Sequence, residues 1–220
     1  MQNHEKLHIL PESPYVKYLN TKIRNKDADL ATFTTYSDQA FRQLLIKASE
    51  LLPYSNQLIT TPIGDSYQGM SLSKGVCGVS VIRAGESMEH EFKKMFPDQS
   101  IGKILIQRDK VTKMPKYFYC HFPPDIAQKM VFLFEPMLAT GGSLLKAIDV
   151  LLEHKVPAEN IIVVNLLTSP SGLQRLLDMH PSIQIVTFSV EESINDNAFM
   201  RPGIGDFGDR YFGTVPVKKS

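Results

Sequence analysis

The chain has 220 residues, of which 24 are Lys or Arg and 23 are Asp or Glu, so its formal net charge is +1. Proteins that bind a nucleic-acid duplex usually carry a clear basic excess, so this balance counts against nucleic acid as a partner. The hydrophobic share of 43% and the charged share of 21% are typical of a globular chain, and the length predicts one domain.

The cysteines and the first residues of the chain bear on its compartment. Cys77 and Cys120 are too few for a disulfide framework, and their apolar surroundings predict two buried thiols in a reducing compartment. Residues 1–10 are polar, so we expect no signal peptide. The longest aliphatic run, Ile161 to Val164, is too short to cross a bilayer. The sequence therefore predicts a cytoplasmic protein without a membrane partner.

The N-terminal third of the chain predicts few regular elements. Residues 1–36 have a mixed pattern and are interpreted as an N-terminal extension. Ser37 can cap a helix in which apolar residues recur at helical spacing up to Leu52, and Pro53 ends that helix. Short extended pieces are expected at residues 58–61 and 69–72.

The rest of the chain alternates apolar strands with amphipathic helices. Strands are expected at residues 76–82, 101–107, 130–134, 161–167 and 183–189, helices at 86–96, 143–154 and 171–179, and a hairpin arm at 116–122. This alternation predicts an α/β fold with a mostly parallel sheet covered by helices on both faces. Ligands of such sheets bind beyond the carboxyl ends of the strands, so the loops there are the candidate sites.

The segment from Val131 to Ser143 is the most informative of these loops. Four apolar residues, the acid Glu135 and a short turn precede a Thr-Gly-Gly-Ser helix start. The glycines allow close approach of the backbone, and the helix start offers free N–H groups and the hydroxyls of Thr140 and Ser143, which suits a phosphate monoester. A glycine-rich turn with Ser143 as an ordinary helix cap has the same pattern, and a lone acid is commonly a surface residue.

This segment resembles the 5-phosphoribosyl-1-pyrophosphate (PRPP) motif of the type I phosphoribosyltransferases. Pro136 stands in place of the second acid of that motif, as in the uracil phosphoribosyltransferase branch. Residues 78–88 resemble the pyrophosphate loop in its fungal form, residues 101–109 fit the family, and residues 202–214 resemble the uracil-binding segment. The resemblance extends from about residue 36 to residue 214, in the family's order and spacing.

The resemblance implies a fold and a reaction. The fold is the type I phosphoribosyltransferase fold, with a central, mostly parallel sheet flanked by helices, a hairpin arm and a C-terminal hood segment over the base. Residues 1–220 would form one such domain. The reaction is a pentosyl transfer that joins N1 of uracil to C1 of PRPP, giving UMP and pyrophosphate in pyrimidine salvage.

The resemblance also implies the residues of the PRPP site. It gives catalytic roles to Arg83, Arg108, Glu135 and Asp206. Arg suits pyrophosphate because its planar fork stays charged and meets phosphate oxygens in pairs. Glu135, where most members carry Asp, would take the ribose hydroxyls. The full set of PRPP contacts is Arg83, Ala84, Gly85, Arg108, Glu135, Pro136, Met137, Leu138, Ala139, Thr140, Gly141, Gly142, Ser143 and Asp206.

The implied uracil site is Met200, Gly205, Asp206 and Phe207, whose backbone N–H and C=O groups would distinguish uracil from cytosine. No direct metal ligand is implied, since Mg²⁺ would arrive with PRPP and contact Asp206 through water.

Other charged residues near these motifs are not expected to contact a ligand. Lys110 and Val111 stand where the family commonly has two acids. Asp209 and Arg210 are expected to be structural, as an ion pair, and Glu191 and Glu192 to be surface acids.

The resemblance also leads to expectations about assembly and regulation, and two alternative functions stay open. Family members usually form homodimers or homotetramers, and some respond to GTP, which makes GTP a candidate activator. The aromatic residues Tyr117, Phe118, Tyr119 and Phe122 are expected to pack a hairpin or a subunit contact, with a nucleic-acid stacking platform as the alternative. One alternative function is the same chemistry on another base. The other is a non-catalytic or RNA-binding regulator, against which the near-neutral charge counts.

Overall fold

A computed structural model of the chain describes residues 4–108 and 114–214. The helices are α1 (Pro14–Arg24), α2 (Leu30–Ser49), α3 (Glu89–Met95), α4 (Gly142–Glu153), α5 (Pro170–Met179) and α6 (Phe207–Phe212). The strands are β1 (Leu7–Ile9), β2 (Tyr54–Thr60), β3 (Ser66–Leu72), β4 (Val76–Ile82), β5 (Ser100–Arg108), β6 (Pro115–His121), β7 (Met130–Phe134), β8 (Met137–Leu138), β9 (Ile161–Thr168), β10 (Gln184–Val190), β11 (Ser193–Ile194) and β12 (Met200–Arg201). Short 3₁₀ turns lie at Ala84–Met88, Ile126–Gln128 and Ala158–Asn160.

The central sheet confirms the predicted α/β architecture. Its strand order is β1-β10-β9-β7-β4-β5-β6, with the short strand β8 also paired to β9. The strand pairs are parallel except for β5 with β6, which is antiparallel. Strands β7 and β9 are buried along their whole length, because helices cover both faces of the sheet.

Two hydrophobic clusters lie on the two faces of this sheet. One joins α1, α2, α3 and the start of α6 to the sheet, with large aromatic side chains such as Phe41 and Phe132. The other contains α4 and α5, whose apolar stripes include Leu144, Ile148 and Leu176. The sequence pattern predicted both of these helices to within one residue at either end, because their apolar stripes repeat regularly.

The N-terminal part is more regular than the sequence predicted. Strand β1 pairs with β10 at the edge of the central sheet, and α1 begins after Ser13, whose hydroxyl accepts the N–H of Val16. Helix α2 begins well before Ser37, because Asp29 is its cap and accepts the N–H of Thr32 at 2.8 Å. Ser37 instead lies inside α2 and is buried, so the prediction that it caps the helix was wrong.

Further expectations concern the hairpin β2–β3 and the two cysteines. The extended pieces predicted near residues 58–61 and 69–72 form one antiparallel hairpin, β2–β3, that stands apart from the central sheet. Cys77 is buried, as predicted, and burial raises the pKa of its thiol. Cys120 is only half-buried, because it lies on the edge strand β6, where the Tyr117 hydroxyl contacts its sulfur at 3.2 Å.

Candidate active site

Strands β4 and β7 are neighbours in the sheet, and the connections that follow them run in opposite directions along the sheet. From β4 it continues to β5, whereas β7 pairs with β9 on its other side. Such a switch point leaves a crevice at the carboxyl ends of the strands. Arg83 follows β4 and Glu135 follows β7, and both line a cavity of about 400 Å³, the first cavity. That volume is in the range of small-molecule sites.

The first cavity brings together three stretches that lie far apart in the sequence. Arg83 and Ala84 come from the pyrophosphate-like loop, and Glu135, Met137 and Ala139 from the segment after β7. The third stretch is the base segment, defined as residues 200–207. Its lining residues, with the adjoining Gly208, are Met200, Ile204, Gly205, Asp206, Phe207 and Gly208.

The base segment presents its backbone to the first cavity because its large side chains point into the core. Met200 and Phe207 are buried, and the Phe207 ring lies 5.6 Å from Phe33 and 5.9 Å from Phe41, measured between centroids. Gly205 has a φ of 77°, which an L side chain rarely adopts. This arrangement suits recognition of a flat ligand by main-chain groups.

A second cavity, of about 850 Å³, contains the phosphate loop, defined as residues 138–143. Thr140, Gly142 and Ser143 line it. Helix α4 starts here after Gly141, which has a φ of 79° and provides no side-chain cap. By contrast, side chains cap the first turns of four other helices, namely α1, α2, α5 and α6. Ser143 lies inside α4, so it is not the helix cap.

The carbonyl groups of the phosphate loop face α5. The Leu138 carbonyl accepts the Ser169 N–H at 2.8 Å, and the Ala139 carbonyl accepts the Ser169 hydroxyl at 2.5 Å. The Thr140 carbonyl accepts a guanidinium N–H of Arg175 at 3.3 Å. In a planar trans peptide the C=O and the following N–H point in opposite directions. The N–H groups of residues 139–141 therefore point away from α5, as in a backbone nest for an anion.

Close packing fixes the same loop. A Cβ on Gly172, in α5, would lie 2.3 Å from the Ala139 carbonyl oxygen, so only glycine permits this approach. The sequence pattern placed Gly172 in the predicted helix at 171–179 and left Ser169 outside any predicted element. The Ser169-Pro170 pair was an available signal for a helix start, since proline is favoured in the first turn.

The turn between β11 and β12 belongs to both cavities, which the sequence analysis missed. Asn197 and Ala198 line the first and the second cavity. The Asn195 side chain shapes this turn by accepting the N–H groups of Asn197 at 3.0 Å and Phe199 at 2.9 Å. The Asn-Asp-Asn run at 195–197 is typical of such turns and could have indicated it.

Arg83 is held beside the first cavity by the C-terminal helix. Its guanidinium donates to Asp209 at 2.7 Å and to the Thr214 hydroxyl at 2.7 Å, and it lies 5.3 Å from the Phe212 ring centroid. The hydrogen bonds from Thr214 and Arg83 lower the pKa of Asp209. Arg83 remains 42% exposed at its side chain, so it is accessible to a ligand.

The predicted ion pair between Asp209 and Arg210 was wrong. Arg210 donates to the Ile204 carbonyl at 2.7 Å and to the Ile23 and Asn25 carbonyls at 2.9 and 2.7 Å, and its guanidinium lies 4.1 Å from the Phe33 centroid. The cation therefore satisfies carbonyls at the end of α1, where helices favour positive charge.

Glu191 corrects another expectation. It is buried, with its side chain 1% exposed, and it forms an ion pair with Arg24 at 2.6 Å. Glu192 is exposed, as predicted. A Glu-Glu pair is typical of a surface, and the partner that permits burial of Glu191 lies far away in the sequence.

Other predicted PRPP residues support the cavity wall from behind. Gly85, Pro136, Leu138 and Gly141 are buried and do not belong to the residues that line either cavity. A Cβ on Gly85 would lie 2.3 Å from the Phe134 carbonyl oxygen.

The remaining catalytic candidates differ in how far the structure describes them. Asp206 is exposed, lines the first cavity, and caps α6 by accepting the Asp209 N–H at 2.9 Å. Arg108 is the last residue of β5, at the same edge of the sheet as Arg83. Lys110 and Val111 lie outside the described residues.

The described part of the chain provides few groups for a metal ion. Among residues 4–108 and 114–214, no group of three His, Cys, Asp or Glu side chains is placed to hold a metal. Asp206 and Glu135, which line the first cavity, are oxygen donors of the type that Mg²⁺ prefers. The chemistry of the site therefore fits a Mg²⁺ ion that arrives with a phosphorylated ligand.

The fold and the crevice define a type I phosphoribosyltransferase. The structure of adenine phosphoribosyltransferase from Trypanosoma brucei shares this fold, with a TM-score of 0.58 over 90% of this chain and 89% of that chain at 12% identity. A solved protein from Aquifex aeolicus is more similar, with a TM-score of 0.84 over 95% of this chain and all of that chain at 25% identity.

Within that class, the chain belongs to the uracil phosphoribosyltransferase family. The sequence model of that family matches residues 10–214. The chain is 43% identical over 210 residues to the uracil phosphoribosyltransferase of Dictyostelium discoideum, a match that covers 96% of this chain and 97% of that protein. The family match begins at residue 10, so it includes α1 and the start of α2, which precede the motifs that first indicated the family.

Proposed function

We propose that the protein transfers the phosphoribosyl group of PRPP to N1 of uracil, forming UMP and releasing pyrophosphate. The observation that carries this proposal is the first cavity, where Arg83, Glu135 and the backbone of the base segment meet at the switch point of the sheet. The family match and the adjoining phosphate loop support it. We assign the reaction to one catalytic domain in the cytoplasm.

The charges that develop in this reaction match the residues at the cavity wall. The bond from ribose C1 to pyrophosphate breaks, which leaves positive charge on the ribose and negative charge on the leaving group. Fixed donors aimed at the developing negative charge lower the barrier. We assign that role to Arg83, whose two hydrogen bonds to Asp209 and Thr214 use only part of its N–H donors. Arg108 would be a second PRPP contact.

The other parts of PRPP and the base have assigned places. The 5-phosphate would bind the N–H groups of the phosphate loop and the start of α4. Glu135 would accept hydrogen bonds from the ribose hydroxyls. The backbone of residues 205–207 would hold uracil in line with C1. Holding the two reacting atoms in this geometry lowers the entropic part of the barrier. Mg²⁺ bound with PRPP would neutralise phosphate charge, and Asp206 would contact it through water.

A substrate panel tests this proposal. Purified protein is incubated with PRPP, Mg²⁺ and one base at a time, namely uracil, cytosine, adenine or hypoxanthine, and nucleotide and pyrophosphate are measured. We expect UMP from uracil and no comparable product from the others. Product from another base only would establish the same chemistry with a different specificity. Tight RNA binding at physiological salt without turnover would instead favour the alternative that the protein is an RNA-binding regulator.

We also propose that the protein acts as a homodimer or homotetramer. The β2–β3 hairpin supports this, because both of its faces carry exposed apolar side chains. Leu58 and Met70 lie on one face, at 66% and 65% exposed, and Ile59 and Tyr67 lie on the other, at 47% and 60%. Apolar patches of this kind commonly mark subunit contacts. Light scattering should give a mass of two or four chains for the wild type and a lower mass for Leu58→Glu with Met70→Glu.

Two further expectations remain predictions. GTP activation is tested by adding GTP to the same assay. Helices in the described part of the chain lack the combination of length and hydropathy that spanning a bilayer requires. The cytoplasmic assignment is tested by fractionation.

A further inference from the structure

An ion pair between half-buried Arg24 and buried Glu191 joins the N-terminal helix to the C-terminal part of the chain beside the base segment. Arg24 is the last residue of α1, and Glu191 follows β10. The guanidinium contacts both carboxylate oxygens, with Nη2–Oε1 at 2.6 Å and Nη1–Oε2 at 2.9 Å. Ser189 completes the network, because its hydroxyl donates to Glu191 at 3.1 Å and accepts from Arg24 at 3.1 Å. Such two-point pairing fixes direction as well as distance.

The same two side chains hold the backbone of Gly203 from both sides. The Gly203 N–H donates to Oε2 of Glu191 at 2.7 Å, and the Gly203 carbonyl accepts from Nη1 of Arg24 at 3.2 Å. Gly203 has a φ of 68°, and a Cβ there would lie 2.1 Å from the Met200 carbonyl oxygen. The chain therefore doubles back tightly at Gly203, at a point that the ion pair sets.

The next residue of the base segment is also tied to the end of α1. The Ile204 carbonyl accepts from Arg210, which at the same time binds the carbonyls of Ile23 and Asn25. Consecutive backbone groups immediately before Gly205 are thus held by charged side chains. Arg24 and Arg210 therefore both connect the end of α1 to the base segment.

We infer that Arg24 is a positioning residue for the base. With Glu191 it fixes Gly203, and through Gly203 it fixes the backbone of residues 205–207, which would face uracil. Neither Arg24 nor Glu191 belongs to the residues that line the first cavity, so both act through the loop. This inference rests on the proposed function, because it names the residue that sets the base site of that reaction.

The phosphate loop gives the inference a specific signature. That loop is held by Ser169, Gly172 and Arg175 of the α5 region. Loss of Arg24 should therefore weaken uracil binding much more than PRPP binding, to which the base segment would contribute only through Asp206 and a water-bound Mg²⁺. If the ion pair only stabilised the fold, its loss would change neither the KM for uracil nor the KM for PRPP. A general collapse of the site would raise both.

The kinetic test compares this ion pair with a similar one elsewhere. Arg24→Ala and Glu191→Gln should each raise the KM for uracil roughly tenfold, as expected for loss of hydrogen bonds to a charged group, with the KM for PRPP changed less than about twofold. Arg24→Lys should recover part of the loss, because Lys keeps the charge without the planar fork. The control is Arg42 with Glu91, an ion pair at 2.8 Å between α2 and α3 whose acid is also buried. Arg42→Ala and Glu91→Gln should leave both KM values near wild type.

A second measurement does not depend on turnover. Amide hydrogen exchange at Gly203 and Ile204 should be faster in Arg24→Ala than in wild type or Arg42→Ala, because the Glu191 side chain loses its anchor. Unchanged exchange there, or equal rises in both KM values, would overturn the inference. If the wild type forms no UMP, the proposed function fails, while exchange still decides whether Arg24 holds the loop. If Arg24→Ala does not fold, Arg24→Lys and Glu191→Gln give the same two measurements.

Discussion

The phosphate loop and the base segment form two sides of one cleft, but different parts of the chain hold them. The hydroxyl of Ser169 reaches the Ala139 carbonyl across 30 residues, with α4 and β9 between them. Arg24 reaches Glu191 across 167 residues, and Arg210 reaches Ile23 across 187. The phosphate side therefore depends on local backbone geometry, whereas the base side depends on charged side chains from both ends of the chain.

This difference has a functional counterpart. A phosphate group is recognised by N–H groups that any regular helix start can offer, so a local unit is sufficient. A pyrimidine is distinguished by the order of donors and acceptors along one edge, which requires the backbone of a short irregular segment to be held in place. The long-range ion pairs provide that rigidity where secondary structure does not.

The largest expected effect belongs to Arg83, which lies between the two sides. Arg83→Ala should lower kcat by roughly a hundredfold, since it removes a fixed donor for the developing pyrophosphate charge. Steady-state kinetics with saturating uracil and PRPP measure this. Near-wild-type turnover would refute the assignment.

Asp209→Asn is the control for Arg83→Ala. It keeps the Arg83 side chain and weakens two contacts of Asp209, the ion pair with Arg83 at 2.7 Å and the hydrogen bond accepted from the Thr214 hydroxyl at 2.7 Å. We expect it to retain much more activity than Arg83→Ala, because the cation itself stays beside the first cavity. Equal losses in the two variants would mean that the C-terminal helix, rather than the charge of Arg83, is what matters.

Gly172→Ala should break the phosphate side alone. The new Cβ would press on the Ala139 carbonyl at 2.3 Å and displace the phosphate loop. Overpacking of this kind costs about 2 kcal/mol. Borne by the phosphate loop, that cost should raise the KM for PRPP by up to roughly thirtyfold, with the KM for uracil little changed. Gly75→Ala is the matched control, since its Cβ would meet nothing closer than 3.6 Å. A parallel rise in both KM values would show that the two sides are not held independently.

Asp206 has two roles on the base side of the cleft, because it caps α6 and also lines the first cavity. Asp206→Ala removes the cap of α6, which costs about 1 kcal/mol, and should lower kcat/KM roughly tenfold through loss of its charge beside PRPP. Asp206→Asn keeps a good capping side chain and loses only the charge. Full activity in the Asn variant would show that the residue is a helix cap only.

Local patterns predicted the phosphate side well and the base side poorly. The strands at 76–82 and 130–134 were predicted residue for residue, because fully buried parallel strands are continuous apolar runs. The start of α2 at Leu30 was missed, because its cap Asp29 follows a polar stretch that resembles a loop. Glu191 was assigned to the surface, since no pattern near it reveals a partner 167 residues away.

Knowledge of the family added residues that spacing alone did not provide. Arg83 and the base segment came from the resemblance, which also favoured a ligand contact over a surface position for Glu135. The structure places all three around one cavity. The contacts that support them, such as Ser169 beneath Ala139, are long-range hydrogen bonds between unremarkable residues. Only the three-dimensional arrangement distinguishes this serine from any other helix cap.

The smallest expected effect is a pH dependence that separates stability from positioning. Burial alone would raise the pKa of Glu191, but hydrogen bonds from Arg24 and the Gly203 N–H more than offset burial and hold the pKa below its ordinary value of 4.5. A group with a lowered folded-state pKa contributes stability that is present above the unfolded-state pKa and is lost as the pH falls through the folded-state pKa. The free energy of unfolding of wild type should therefore fall more steeply on acidification below about pH 5 than that of Glu191→Gln.

Glu91 makes this last prediction informative about the cleft. Its pKa is also lowered, because hydrogen bonds from Arg42 and Lys94 outweigh the effect of burial. Glu91→Gln should flatten the acid limb of the stability curve in the same way, measured by urea titration at several pH values. Of the two variants, Glu191→Gln alone should also raise the KM for uracil. If both raised it, stability and not the position of Gly203 would control the base site, and the contrast between the two sides of the cleft would disappear.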